Sequence, residues 1–242
     1  MMADTDINIS NDNSSDNKAD FSLILASSVH DMKNSLGMLL NSLEDMIRET
    51  PEQNEQQVKQ FGILQYEASR INTELIQLLS IYRMQHELSP VRIEENYPVE
   101  IIEEQIARND TLFEMRGLNV EIDCDEDLSW YYDIEMLGGV VHNILVNGAR
   151  YSKHKMLVSA AIENNELVIA IEDDGAGYPE FMLGSPEQSY VKSVSFSEGS
   201  THLGLYFSQQ VVGLHTKDGV KGRIDLSNGG RLGGGVFKLY LP

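Results

Sequence analysis

Residues 156–177 read MLVSAAIENNELVIAIEDDGAG, and this stretch decides the architecture of the second half of the chain. Met156–Ile162 and Glu166–Glu172 form a predicted strand pair around Asn164–Asn165, and the second run leads directly into an acidic, glycine-containing turn. Working outward, Asp133–Tyr151 reads as a helix, Leu118–Ile122 as a strand and Val99–Met115 as a helix. Beyond the turn come a Gly/Ser-rich stretch, a helical Leu203–His215, and strand-like Arg223–Asn228 and Gly235–Leu241. Mixed helices and antiparallel strands point to an α+β two-layer sandwich. No internal repeat is present.

The first half has a different period. Val29, Met32, Leu36, Leu39, Leu43 and Met46 alternate steps of three and four, the spacing of a helix stripe. After Thr50–Pro51, Phe61, Leu64, Ala68, Ile71, Leu75, Leu78 and Tyr82 repeat that alternation, as a coiled-coil seam does. Two such helices make an antiparallel hairpin whose stripes a lone hairpin leaves half covered. Pairing two copies into a four-helix bundle covers them, so burial predicts a C2 homodimer. Residues 1–20 are rich in Asp and poor in large apolar groups, the composition of a flexible tail. The expected division is thus a tail at 1–20, a helical hairpin at 21–89, a linker at 90–98 punctuated by Pro90 and Pro98, and an α+β domain at 99–242.

Composition removes several function classes. The chain has 242 residues, 41% hydrophobic and 23% charged, a globular balance for about two small domains. With 18 basic and 38 acidic residues the formal net charge is −20, which repels nucleic acid and anionic lipid. Cys124 is the single cysteine, so no internal disulfide or cysteine cluster for zinc forms, which suits a reducing cytoplasm. The apolar stretch Phe21–Val29 is far shorter than a membrane span. A cytoplasmic protein without membrane insertion is expected.

Four clusters carry chemistry. His30-Asp31-Met32-Lys33-Asn34 lies on the first helix; His30 follows the seam position Val29, so its ring is expected to face solvent. There an imidazole offers a neutral nitrogen as nucleophile, Asp31 can orient its tautomer, and Asn34, one turn on, can position a water or a phosphoryl oxygen. Alone, the pentapeptide also fits an ordinary polar helix face. In the second cluster, His142 to Tyr151, Asn143 and Asn147 share a helix face with Arg150 three residues further on. Neutral amide oxygens beside a cation suit a Mg²⁺–triphosphate. In the third, Asp173-Asp174-Gly175-Ala176-Gly177 places a carboxylate at a strand end, where it can accept from the exocyclic amine of adenine while glycines let backbone approach a flat ring. In the fourth, Gly199-Ser200-Thr201-His202-Leu203-Gly204-Leu205 opens a helix whose free amides attract phosphate. Tyr178–Glu198 between them has the length of a lid.

In this order the four clusters resemble those of the sensor histidine kinases: a dimerisation and phosphoacceptor module over about Phe21–Ser89, then an ATP-binding module of the GHKL (Bergerat) type over about Val99–Pro242. The resemblance implies that His30 is the phosphoacceptor, Asp31 its acidic neighbour, and Asn34 the residue used in dephosphorylating a response regulator. It implies that Asn143 and Asn147 hold Mg²⁺ and that Arg150 and Tyr151 belong to the same nucleotide box. Asp173 would specify adenine, with Gly175 and Gly177 beneath the nucleotide and Thr201, Leu203, Gly204 and Leu205 forming the second glycine box. Gly233-Gly234-Gly235-Val236-Phe237 resembles the family's terminal strand.

The departures are His202 where the family usually has Gly, Gly148 for Ala, and Asp174 for Asn. No clear phenylalanine box is present, although Phe181 or Phe196 lies where the lid would be. The implied activity is Mg·ATP-dependent autophosphorylation of His30 and transfer to an aspartate of a response regulator, with phosphatase action open. With no span or ligand domain ahead of the His helix, input is expected in trans from a sensor or regulatory protein. The rivals are a non-catalytic dimeric phosphotransfer or adaptor protein and a GHKL ATPase of the chaperone or topoisomerase kind.

Overall fold

The computed structural model describes residues 13–49, 55–85, 90–183 and 203–242, which divide into two compact units, Met1–Tyr82 and Arg83–Pro242. Thr201, His202 and Phe196 lie outside the described residues, as do the side chain of His30 and the Thr50–Pro51 break.

The first unit contains helices α1 (Asn13–Glu49) and α2 (Glu55–Gln85). Helix α1 begins inside the stretch expected as a flexible tail, and no Pro or Gly interrupts the sequence between residue 13 and the seam. The alternating seam divides into two heptad rows. Val29 and Leu43 are buried with Leu36 half-buried between them, whereas Met32, Leu39 and Met46 are 44–50% exposed. In α2, Ala68 is buried while Leu64, Ile71 and Leu78 are 44–54% exposed. Each helix thus covers one row and leaves the other about half exposed.

The second unit is an α/β sandwich. It runs β1 (Glu94–Asn96), α3 (Pro98–Arg108), α4 (Asp110–Arg116), β2 (Asn119–Cys124), β3 (Trp130–Tyr132) and α5 (Ile134–Tyr151). It continues with β4 (Lys155–Glu163), β5 (Glu166–Asp173), a short 3-10 turn, α6 (Leu203–Leu214), β6 (Thr216–Lys217), β7 (Val220–Lys221), β8 (Arg223–Asn228) and β9 (Gly235–Leu241). The main sheet has the order β2-β4-β5-β9-β8, antiparallel except for the parallel β2–β4 pair. The expected hairpin is β4–β5, with Asn164 and Asn165 at φ 50° and 64°, the left-handed pair that matches strand twist in a two-residue turn. Val99–Met115 forms two helices, α3 and α4, broken at Asn109, and residues 90–98 belong to this unit, because β1 pairs with β3 in a separate ribbon.

Ladder register fixes which residues share a face. Met156 opposes Asp173, Val158 opposes Ile171, and Ile171 opposes Phe237, so these lie on one side of the sheet. Helix α5 packs between α3 and α6, and the three helices cover that side; there Met156, Val158, Ile169, Phe237, Leu239 and Leu241 are almost wholly buried with Leu137, Val140 and Leu145 of α5. Each such side chain contributes about 1.5–3 kcal/mol by leaving water. Asp173 ends β5 on this same helix-facing side, which places its carboxylate at the rim of the core.

Candidate nucleotide site

Helix α5 is positioned at its first residue. Asp133 is its N-cap: Oδ1 accepts from Met136 N–H at 3.0 Å, and Oδ2 accepts from Arg92 N–H at 2.8 Å. The Asp133 N–H in turn donates to His215 Nε2 at 3.1 Å, while Nδ1 of that ring lies 3.0 Å from the Val211 carbonyl. His215 is therefore a neutral imidazole with its proton on Nδ1, and burial holds it below the usual histidine range. It couples the end of α6 to the start of α5.

The two asparagines lie one turn apart on α5, as expected. Asn143 is buried; its Nδ2 donates to Ser208 Oγ at 3.2 Å, and Ser208 Oγ donates to the Gly204 carbonyl at 2.9 Å. A side chain at Gly204 would meet the Asn143 amide at well under 3.0 Å, so the glycine of the second box is there to admit an asparagine of the first. Asn147, less buried, turns its Nδ2 toward Asn143 Oδ1 at 3.5 Å. That orientation presents the Asn147 carbonyl oxygen as a hard acceptor. Among the described residues no group of three or more His, Cys, Asp or Glu is placed to hold a metal. A donor set of one or two amide oxygens fits Mg²⁺, which keeps waters and nucleotide oxygens in its octahedron. Arg150 is exposed, its guanidinium 5.4 Å from the centroid of the Tyr151 ring.

His142 precedes this face and turns away from it. Its Nδ1 lies 3.1 Å from Asn109 Nδ2, and burial, aided by the charge of Arg108, pushes its pKa down to about 4. It is a neutral packing residue between α5 and the α3–α4 junction.

Asp173 sits in a nest of glycines. Its Oδ1 accepts from Gly175 N–H at 2.7 Å and Gly235 N–H at 3.1 Å, and its carbonyl accepts from Gly234 N–H at 3.0 Å. A Cβ on Gly234 would lie 2.5 Å from Asp173 Oδ1, and one on Gly235 would lie 2.7 Å from Oδ2. Backbone donors thus hold one carboxylate oxygen and orient the other. The neighbouring acids are tied down separately. Glu172, buried on the opposite face, pairs with Arg231 Nε at 3.0 Å, and Arg231 Nη1 reaches Asp123 at 2.6 Å. Asp174 accepts from Lys153 N–H at 2.8 Å and His154 N–H at 3.0 Å. Burial opposes its charge, but backbone donors from His154, Lys155 and Lys153 outweigh that and hold the carboxyl below its usual range. Asp174 therefore closes the end of the asparagine helix onto the acidic box, which accounts for a charged residue there.

Two residues at this site were not anticipated. Asn228, at the end of β8, accepts from Tyr178 N–H at 2.6 Å and donates to the Tyr178 carbonyl at 2.8 Å, although fifty positions separate them. The Tyr178 ring lies beside Gly235. In the fourth box, Leu205 is buried in the core and Leu203 half-buried at the start of α6. In the first unit, Asp31 and Asn34 are exposed on α1 next to the buried Val29.

Residues 132–242 match the family described as histidine kinase-, DNA gyrase B-, and HSP90-like ATPase. Sensor histidine kinase CssS of Bacillus subtilis (strain 168) is 26% identical over 155 residues, 63% of this chain and 33% of CssS. Sensor protein SrrB of Staphylococcus aureus (strain NCTC 8325 / PS 47) is 23% identical over 231 residues, 93% of this chain and 38% of SrrB. The chain thus spans about a third of the length of the curated relatives it matches. Among solved structures, Acinetobacter baumannii histidine kinase AdeS superposes with a TM-score of 0.56 at 16% identity, over 86% of this chain and 95% of that one, a likeness of fold. Among the described residues no helix is long and apolar enough to cross a membrane. The glycine nest around Asp173 and the paired asparagines lie within residues 132–242, the part of the chain that matches the histidine kinase-, DNA gyrase B- and HSP90-like ATPases, and the chain is similar to the sensor histidine kinases.

Proposed function

We propose that this chain is the dimerising and ATP-binding part of a two-component kinase that transfers the γ-phosphoryl group of ATP to His30 and then to an aspartate of a response regulator. The observation that carries the reading is the Asp173 nest, with one oxygen fixed by Gly175 and Gly235 amides and the other available to the edge of a base. A carboxylate so fixed accepts the exocyclic amine of adenine. Asn147 with Asn143 would hold Mg²⁺, which when bound spreads the charge of the triphosphate; Arg150 would add a cation beside the phosphates. Phosphoryl transfer is mostly positioning and charge compensation, so these residues orient the nucleotide. His30 supplies the nitrogen that forms the new bond to phosphorus as the bond to ADP breaks, with Asp31 holding the ring's other proton. Asn34, on the same exposed face of α1, would position a water in the reverse, phosphatase direction. Thr201, Leu203, Gly204 and Leu205 would contribute to nucleotide binding in the same proposal.

The half-exposed heptad rows support the homodimer. Met32, Leu39, Leu64, Ile71 and Leu78 stand at the spacing that a second copy of the hairpin would cover, giving a four-helix bundle. Input received in trans, through a partner that repacks these helices, belongs to the same proposal. Its check is co-purification under conditions that change activity; a kinase of fixed activity found only with its regulator would count against it.

The experiment is incubation of the full chain with Mg²⁺ and γ-labelled ATP, followed by acid and base treatment. The kinase reading expects base-stable, acid-labile label on protein that His30→Ala abolishes with ATP binding intact and Asn147→Ala abolishes together with binding. Labelling that persists in His30→Ala refutes the assignment. Release of free phosphate without protein label favours a GHKL ATPase, and no turnover at all favours the adaptor.

A further inference from the structure

Two neighbouring residues of β5 grip one glycine turn from opposite faces of the sheet. The turn is Gly229-Gly230-Arg231-Leu232-Gly233-Gly234 between β8 and β9, with Gly229, Gly230 and Gly233 at φ 105°, 56° and 86°. On the helix-facing side, Asp173 takes the Gly234 N–H on its carbonyl at 3.0 Å and the Gly235 N–H on Oδ1 at 3.1 Å. On the opposite side, Glu172 Oε2 accepts from the Arg231 N–H at 2.5 Å and Oε1 accepts from Arg231 Nε at 3.0 Å. A Cβ on Gly230 would fall well under 3.0 Å from Glu172 Oε2, so turn and carboxylate lie in direct contact. Arg231 Nη1 then reaches across β4 to Asp123 of β2 at 2.6 Å. The two halves of this bridge differ in weight. The Glu172 side chain is 8% exposed and that of Asp123 64%. A buried carboxylate stripped of its partner is costly, whereas an exposed ion pair contributes little, so Glu172 is the anchor.

We propose that Arg231 is a positioning residue of the nucleotide site: locked onto Glu172, it holds the glycine turn so that the Gly235 amide keeps the Asp173 carboxylate in the orientation that reads adenine. The inference rests on the assignment of Asp173 to the base. A turn so rich in glycine gives up much conformational freedom when it is ordered, and one that wanders takes its amides off Asp173. Arg231 meets that cost before the ligand arrives, which is preorganisation in favour of binding. Its guanidinium engages Glu172 and Asp123 on the face away from the helices, so its effect on a nucleotide passes through the turn. A fork that serves two carboxylates on different strands is a task for arginine, since the single ammonium of a lysine is a point charge.

The test is calorimetric titration of the full chain with Mg·ATP and with Mg·GTP, beside thermal melting of each variant. Arg231→Ala is expected to weaken ATP about three- to tenfold, the size of one hydrogen-bond contribution, and to weaken GTP less, so that the preference for ATP falls. Arg231→Lys, which keeps the charge without the fork, is expected to lie between the two. Combining Arg231→Ala with Glu172→Gln is expected to cost no more than the worse single change, because both act through one contact. Arg223→Ala breaks an ion pair on the same face, with Glu166 at the other end of β5, and is expected to leave both affinities unchanged. A merely structural bridge would lower the melting temperature of Arg231→Ala and leave the ATP-to-GTP ratio where it was; that result overturns the proposal, as do additive losses in the double variant or an equal shift in Arg223→Ala. If Arg231→Ala does not fold, the ratio is read from Arg231→Lys and Glu172→Gln, and a ratio unmoved in both overturns the proposal. An unaltered chain that binds neither nucleotide overturns the nucleotide-site reading and this inference together, whereas ATP-selective binding that ignores every change to the bridge overturns the inference alone.

Discussion

Gly148 stands where the resembled family usually has alanine, and the core explains the exchange. It lies in α5 one residue after Asn147, and a Cβ built on it would fall well under 3.0 Å from Cε of Met156 and 3.1 Å from its Sδ. Met156 is 1% exposed, at the head of β4 and directly opposite Asp173. Its methyl thus occupies the place an alanine side chain would take. Gly148→Ala gains about 1 kcal/mol of helix propensity and meets an overpacking cost of about 1–3 kcal/mol, so the net expectation is a loss of up to about 2 kcal/mol. Met156→Leu keeps the volume, costs less than about 1.5 kcal/mol alone, and withdraws the offending methyl. In that background Gly148→Ala should become stabilising, giving a coupling of about 1–3 kcal/mol between the two sites. Urea unfolding followed by fluorescence measures this cleanly, because Trp130 is the single tryptophan and lies in β3 of the second unit. If Gly148→Ala stabilises the domain by the full propensity gain in both backgrounds, the side chains do not compete for one space and the reasoning fails.

Three further expectations follow from other contacts. Gly204→Ala should weaken Mg·ATP binding at least about tenfold by displacing the buried Asn143 amide, whereas Gly213→Ala on the same helix, with nothing within 4 Å of its Cβ, should leave binding intact and stabilise by up to about 1 kcal/mol; titration of both variants with ATP checks the contrast, and equal effects would contradict it. His215 has its pKa lowered by burial, so the folded state binds fewer protons than the unfolded state; its contribution is complete above the unfolded pKa and is lost as pH falls through it toward the lower folded value. Thermal unfolding between pH 8 and pH 5 should therefore show falling stability, and His215→Asn a lower but flatter curve; His142, shifted the same way, keeps some slope in both, and an unflattened variant would argue against the assignment. Leu39→Asp or Ile71→Asp, each placing a charge in a half-exposed heptad row, should convert a dimer to a monomer in sedimentation without unfolding the second unit; a dimer that survives both changes is not built on this seam.

What the sequence disclosed was local. The β4–β5 hairpin was legible because two adjacent strands and an Asn-Asn turn settle each other's register within eighteen residues, and the asparagine face of α5 because helical spacing alone brings positions 143 and 147 together. The misread parts depend on partners distant in sequence. Glu94–Asn96 has no strand pattern of its own and becomes a strand through Trp130–Tyr132; the parallel β2–β4 pair needs the whole of α5 between its members. Asn109 ends α3 in the middle of an apolar periodicity that predicts one helix, since its side chain bonds to the Gln105 carbonyl at 2.7 Å and to His142 instead of continuing outward. The seam had the right period, but periodicity does not say which heptad row the hairpin covers itself. At the site, Asp173 was visible as an acid before glycines; Asn228 carried no local signal, because its role exists only once β8 lies beside the Tyr178 turn.

The electrostatics of the site resolve an apparent conflict between a net charge of −20 and a polyanionic ligand. The three consecutive acids at the end of the central strand would, if bare, repel a triphosphate strongly. Each is answered from within the fold: Glu172 by Arg231 on the far face, Asp173 by the amides of Gly175 and Gly235, and Asp174 by the amides of Lys153 and His154. Backbone donors satisfy the carboxylates of Asp173 and Asp174 without lysines or arginines, so on the proposed reading the pocket would stay selective for a neutral base edge while Arg150, exposed at the end of the asparagine helix, would serve the phosphates. The glycines at 234 and 235 follow from the close approach to Asp173, since a Cβ there would lie 2.5 Å from its Oδ1 and 2.7 Å from its Oδ2 respectively. On the proposed reading, a glycine-rich acidic box is thus what would let a strongly acidic surface carry a nucleotide site.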